Sequence, residues 1–334
     1  MKKLTAILLS ALLLVSLLTA CTTDEPVSST PDTPTVKADV NIVAIAGPTG
    51  VGLVSLMDEN ANGNAANNYN FTVVNDPQKA VASVLNGDAD IAAVPTNLAS
   101  TLYKRTSGNV QVLAVNTLGV LYMLENGDSV KSVDDLRGKT IYTSGQGANP
   151  EYILRYVLEK NGLDPDKDVK IEFVADNDVL ATLVTNGTAK VAMVPEPKAT
   201  ACLLGNKDLK TVLNMTQEWD KVSDDTSALM MGCVIARKEF VQNNKAAVNA
   251  FLTEYESSIN EVKTDVAAAA NSCVTHGIIP KAPLAQKAIP NCNLTFVEGA
   301  DMKTQLAGYL KVLFDYNPAA IGGALPTDDF YYAR

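Results

Sequence analysis

FTVVNDPQKAVASVLNGDADIAAVPTNLASTL, Phe71 to Leu102, is answered one hundred residues later by IEFVADNDVLATLVTNGTAKVAMVPEPKATAC, Ile171 to Cys202. The two stretches align without a gap and share ten of their 32 positions, including the pairs Asp76 and Asp176, Asn86 and Asn186, Gly87 and Gly187, and Pro95 and Pro195. Each copy reads as a strand, an amphipathic helix closed by Asn-Gly, an apolar strand ending in Val-Pro, and a second helix. The chain therefore carries one structural unit twice.

The duplication extends upstream. AIAGPTGVGLVSLM, Ala44 to Met57, and KTIYTSGQGANPEYILRYVLEKNG, Lys139 to Gly162, both open with a strand, a glycine turn and a helix. Neither GxxxxGK[ST] nor GxGxxG fits the first turn, because Gly47-Pro48-Thr49-Gly50-Val51-Gly52 continues into Leu53-Val54-Ser55 with no lysine to meet a phosphate. What remains is the general physics of a helix start, whose free N–H groups and partial positive charge suit an anion.

Strands alternating with helices predict an α/β fold of parallel sheets covered on both faces, and two copies predict two lobes. Ligands of such sheets sit beyond the carboxyl ends of the strands. Four equivalent points are expected around one cleft: Pro48, Thr49 and Gly50; Thr96 and Asn97; Ser144, Gly145, Gln146 and Gly147; and Glu196. VQVLAVNTLGVLYMLE, Val110 to Glu125, is a β-rich run broken at Thr117-Leu118-Gly119, which suits a strand crossing between lobes. TVLNMTQEW and ALMMGCVIA read as return strands, followed by a long helical tract. The expected division is residues 40–118 plus 222–334 for lobe 1, made discontinuous, and 119–221 for lobe 2.

The chain starts with a basic MKK, runs apolar from Leu4, and reaches Leu18-Thr19-Ala20-Cys21 before turning polar. Residues 1–20 read as a signal peptide and Cys21 as the lipidated residue of a bacterial lipobox. Residues 21–39, with their Pro, Ser and Thr, read as a flexible tether. The formal net charge is −10, so nucleic acid is not an expected partner. A single histidine among five cysteines, with no CxxC pair, argues against a metal site. Outside the cell Cys202, Cys233, Cys273 and Cys292 have three ways to pair, and Cys273 with Cys292 is the favoured one.

Taken together, AGPTG, LNGDADIAAVPTNLA, VDDLRGKTIYTSGQGANPEYILRYVLEKNG, AMVPEP and RKEFVQNNKAAVNAFLTEY resemble the substrate-binding lipoproteins of ABC importers. The resemblance is to the branch that includes nitrate, sulfonate, taurine and thiamin-precursor binders, and it covers nearly the whole chain after the signal peptide. It implies the two-lobed type II periplasmic-binding fold, with lobes closing on a ligand and then docking to an ABC permease and its ATPase subunits. It implies no cofactor and no catalysis.

The nominated residues have plainer readings too. Gly47 to Gly50 can simply join strand to helix, Thr96 and Asn97 can cap the next helix, and Glu196 can meet a helix dipole. Tyr142, Tyr152 and Trp219 suit stacking on a flat ligand but suit a core equally, and His276 suits a surface or capping position. An enzymatic alternative comes from the thiamin-pyrimidine synthases of similar fold, which use a reactive histidine and a cysteine-rich iron motif; no such motif occurs here, and neither does a GxSxG elbow. A binding protein that informs a sensor is a further alternative. With no Arg or Lys in the cleft loops, a neutral or amine-bearing heterocycle, a sulfonate or another organic acid fits better than a small inorganic anion.

Overall fold

In the computed structural model, which describes residues 37–224 and 226–334, eleven strands form two separate sheets. They are β1 (Asp39–Ile45), β2 (Asn68–Val74), β3 (Ile91–Pro95), β4 (Val110–Thr117), β5 (Leu121–Asn126), β6 (Thr140–Ser144), β7 (Lys170–Val174), β8 (Val191–Pro195), β9 (Leu209–Asn214), β10 (Gly232–Arg237) and β11 (Leu294–Val297). The first sheet runs β11-β4-β10-β3-β1-β2 and the second β7-β6-β8-β5-β9. In the first, β1 lies parallel between β2 and β3, with Ile42 opposite Phe71 and Ile91. In the second, β6 lies parallel between β7 and β8, with Ile141 opposite Ile171 and Val191. The duplicated sequences thus occupy equivalent positions in two sheets. The signal peptide, Cys21 and most of the tether lie outside the described residues.

The repeated residues are the punctuation of the repeated unit. Asp76 accepts from the N–H of Gln78, and Asp176 from those of Asp178 and Val179, so each satisfies orphan donors at the start of its helix, Pro77–Asn86 or Asn177–Thr185. Such a cap contributes ~1 kcal/mol. Gly87 and Gly187 follow with φ of 82° and 78°, a left-handed turn that only glycine adopts without cost.

Alternation along the central strands sorts side chains into cores on opposite faces. Ala92, Val94, Leu121, Met123, Val191 and Met193 enter one continuous core that spans both sheets; Ile91 and Ala93 face a second, and Tyr122, Leu124, Ala192 and Val194 a third. The shared core also takes in Tyr152, Trp219 and Tyr309, so Tyr152 and Trp219 are packing residues. Tyr142 is half-buried against the third core.

The strands that run against the parallel order are β5, β10 and the edge strand β11. β4 belongs to the first sheet and β5, after Leu118, Gly119 and Val120, to the second, where it runs antiparallel between β8 and β9. The return is made by β10, antiparallel between β3 and β4. One sequence expectation holds in part and another fails here: TVLN and GCVIA lie in β9 and β10, but the rest of each stretch does not. MTQEW lies in the helix Met215–Asp220, because Asn214 Oδ1 caps it by accepting from the N–H groups of Thr216 and Gln217, and Ala228 to Met231 lie outside any strand. The favoured disulfide is also absent: Cys202, Cys233, Cys273 and Cys292 are all buried free thiols.

Candidate functional site

Thr96 and Glu196 hold corresponding places in the duplication, and each hangs on a crossing segment by its backbone N–H. Thr96 donates to Met231 O at 3.1 Å and Glu196 to Val120 O at 2.9 Å, while Met231 donates to Thr117 O at 3.1 Å and ties the two crossings together. The ends of β3 and β8 thus meet at one axis between the sheets. Thr49 joins the same axis, because a Cβ on Gly232 would lie 2.6 Å from Thr49 Cγ2 and 2.7 Å from Asn116 Oδ1. Ser144 ends β6 beside β8, where Thr143 Oγ1 donates to Met193 O at 3.2 Å.

Among the described residues, only the Thr49 N–H of the first glycine turn is without a hydrogen-bond partner. Gly47 N–H goes to Ile278 O, Pro48 has none, and Gly50 and Val51 both donate to Gly47 O. Pro48 to Gly50 instead form a single helical turn, Pro48–Val51, with Gly50 buried against Ile278. Asn116 braces this turn by donating to Thr49 O at 3.1 Å and to Tyr255 OH at 2.9 Å; its buried Oδ1 has no partner. In the second turn, Gly145 and Gly147 take φ of 78° and 73°, and Gly147 N–H is held at 2.7 Å by Glu151, so an incoming anion would compete with a carboxylate. Gln146 is exposed, and Ser144 Oγ donates to Asn177. Among the described residues no hydrogen bond or ion pair joins this turn to Pro48–Gly50.

The side chains of Thr96, Asn97 and Glu196 are engaged within the protein. Thr96 Oγ1 donates to Met230 O at 2.7 Å, and Asn97 Nδ2 reaches Ala320 O at 3.5 Å. Glu196 is 4% exposed and turns back on the helix Lys198–Gly205, accepting from Thr200 Oγ1 at 2.8 Å and from Thr200 N at 3.2 Å. Burial pushes its carboxyl above the usual range, against the lowering effect of the hydrogen bonds from Thr200 and Asn291. The neighbouring Tyr122 OH, on β5, donates to Asn291 O at 2.8 Å. Asn291 is thus a site residue that sequence reading missed; it lies more than ninety residues from Glu196 in an unpatterned stretch that carries no motif.

On both flanks the sheets are drawn together. On one, Asn317 donates to Tyr152 OH at 2.8 Å and Tyr316 OH to Glu159 at 2.6 Å; on the other stands the Tyr122 to Asn291 bond. Four cavities of about 310 to 470 Å³ lie elsewhere, and none is lined by a nominated residue. Among the described residues, no group of three His, Cys, Asp or Glu side chains is placed to hold a metal, and no helix is long and apolar enough to cross a membrane. His276 follows the helix Val266–Thr275 and meets Asp58 at 2.7 Å, a tie between two helices.

Two sheets of equivalent order, joined by two crossing segments with strand-end loops gathered beside them, are the architecture of the periplasmic-binding-protein fold. Residues 68–278 match the profile of one such family, described as the ABC transporter, phosphonate, periplasmic substrate-binding protein, and the chain belongs to it. A putative binding protein of Bacillus subtilis, YtlA, is 23% identical over 186 residues, which cover 50% of this chain and 55% of that protein; the match thus spans about half of that relative. Among solved structures, an ABC transporter from Parabacteroides distasonis has a TM-score of 0.75 at 19% identity, covering 89% of this chain and all of that one. The periplasmic aliphatic sulphonate binding protein SsuA from Escherichia coli has a TM-score of 0.67 at 12% identity, covering 86% of this chain and 92% of that one. These likenesses establish the fold of the periplasmic binding proteins. The family is that of the periplasmic substrate-binding proteins of ABC transporters.

Proposed function

We propose that the chain captures a small organic ligand between two lobes built on the two sheets, residues 40–118 plus 222–334 and residues 119–221, and delivers it to an ABC permease. The protein is held at the membrane through a lipid on Cys21. The observation that carries this reading is the hanging of Thr96 and Glu196 on the two crossing segments, which brings the strand ends of both sheets to one axis. Closure of such lobes is a population shift driven by ligand contacts with both. In this reading the arrangement in which Thr96 and Glu196 hang on the crossing segments is the closed one.

The ligand class follows from the donors and acceptors at the axis. Most of the first turn's N–H groups are engaged, Glu151 holds Gly147 N–H of the second, and a buried Glu196 carboxyl, turned back on Thr200, stands at the end of β8. A heterocycle carrying an amine fits these groups better than a sulfonate or another organic acid, although the sulphonate-binding protein shares the fold. A thermal-shift screen of amines, heterocycles, sulfonates and phosphonates tests the reading, since a ligand at a hundredfold excess over Kd stabilises by ~2.7 kcal/mol. Calorimetry of Glu196→Gln with the best ligand then checks the carboxylate; loss of a charged hydrogen bond costs ~1.5–3 kcal/mol, roughly tenfold to a hundredfold in affinity. Unchanged affinity in a folded variant removes Glu196 from the site, and a screen in which no compound shifts the midpoint counts against solute capture.

A further inference from the structure

A third segment ties the sheets together besides the two crossing strands. Ile289 to Asn291 form a short 3-10 turn, Cys292 is fully buried, and β11 then adds to the edge of the first sheet, with Leu294 opposite Thr117. Between turn and strand stands Asn293, with φ of 45°. Among the described residues only Asn293 and Ser107 take a left-handed backbone without being glycine. Asparagine tolerates that conformation better than most residues but still at some cost, which surrounding contacts must offset.

Those contacts converge on the first crossing. Asn293 O accepts from Leu118 N–H at 3.0 Å, and Asn293 Nδ2 donates to Gly119 O and reaches Thr216 Oγ1 at 3.5 Å. Thr216 belongs to the helix Met215–Asp220 that follows β9 of the second sheet, and its hydroxyl donates to the same Gly119 carbonyl at 3.0 Å. Two residues earlier, Asn291 O receives the Tyr122 hydroxyl from β5. One short segment anchored on the first sheet therefore grips the crossing strand and two elements of the second.

We propose that Asn293 is a positioning residue that clasps the first crossing segment and biases the two sheets toward the closed arrangement. The inference rests on the reading that the sheets part to admit a ligand. A left-handed Asn aligns its own carbonyl with Leu118 N–H while its amide meets Gly119 O, so backbone and side chain hold adjacent residues of the crossing. Parting the sheets pulls Thr216 and Tyr122 away from this segment and breaks the grip.

The protein carries its own reporter. Trp219, its one tryptophan, is fully buried between Tyr156 on the helix Asn149–Lys160 and Tyr309 on the helix Gly299–Tyr316, with ring centroids 4.3 and 5.6 Å away. The first of these helices covers the second sheet, whereas the second packs on β4 of the first, so parting exposes the indole. Acrylamide quenching of Trp219 is measured without ligand in wild type, Asn293→Asp and Asn293→Gly. The Asp variant keeps shape and left-handed tolerance but replaces the donating amide with a carboxylate; the Gly variant keeps only the backbone.

Both variants are expected to raise quenching at unchanged far-ultraviolet circular dichroism, by a roughly two- to tenfold shift in the open-to-closed ratio. A lowered melting temperature with unchanged quenching in both overturns the clasp, because a merely structural asparagine would give that result. The double variant Tyr152→Phe, Tyr316→Phe loosens the opposite flank and separates the two ways of failing. If it raises quenching while the Asn293 variants do not, the clasp alone is wrong. If none of them does, the sheets do not part and the reading beneath it falls as well.

Discussion

Gly119, at the centre of the first crossing, has no space for a side chain. A Cβ there would lie 2.2 Å from Thr216 Oγ1 and 2.5 Å from Leu229 Cδ2. Its φ is not left-handed, unlike that of the glycines in the turns, so Gly119→Ala tests crowding alone. Ordinary carbon–oxygen and carbon–carbon separations are about 3.3 Å and 3.5–4.0 Å, so the hydroxyl and the leucine must each retreat by about 1 Å. Leu229 is fully buried and has nowhere to go without moving its neighbours. Overpacking of this kind costs ~1–3 kcal/mol, and loss of the Thr216 bond to Gly119 O adds ~1 kcal/mol, giving ~2–4 kcal/mol in all. Urea unfolding followed by circular dichroism reads this as a lower midpoint. Thr216→Ala removes the nearest clashing atom, so the double variant should be less destabilised than the sum of the singles. A Gly119→Ala change below ~0.5 kcal/mol, the range of ordinary surface substitutions, would refute the crowding.

Burial holds the Glu196 carboxyl above its unfolded range, so the folded state binds this proton more tightly than the unfolded state. The stability it contributes is complete below the unfolded pKa and declines as pH rises through the raised folded one. Glu196→Gln should therefore gain stability relative to wild type as pH climbs from about 4 to 7, near the unperturbed carboxylate value and above it; parallel profiles would count against a raised pKa. The thiols of Cys202, Cys233, Cys273 and Cys292 are buried, and burial pushes Cys273 up to about 12, so the nucleophilic thiolate is scarce. In a Cys21→Ser chain, Ellman's reagent should label these four only after denaturation, and rapid labelling of the native protein would contradict the packing. The same Cys21→Ser chain should leave the membrane fraction, and its retention there would reject the lipid anchor.

The sequence by itself determined the repeated unit. Capping Asp, Asn-Gly stops, apolar strands and a 100-residue offset are local signals, each acting within a few residues, so they survive in the bare chain. The break at Thr117-Leu118-Gly119 was legible for the same reason, since a β-rich run interrupted by a glycine marks where a strand changes sheets. The same signals put Thr96 and Glu196 at corresponding strand ends. Tertiary structure decided what local pattern does not encode: which remote groups take up a given N–H or hydroxyl. It gave Gly47 N–H to Ile278 and Thr96 Oγ1 to Met230, set Asn291 beside Tyr122 and Asn293 on Gly119, and left Cys273 and Cys292 as separate buried thiols. These contacts join segments scores of residues apart, and close packing between elements, with no period or spacing to announce it, selects their partners.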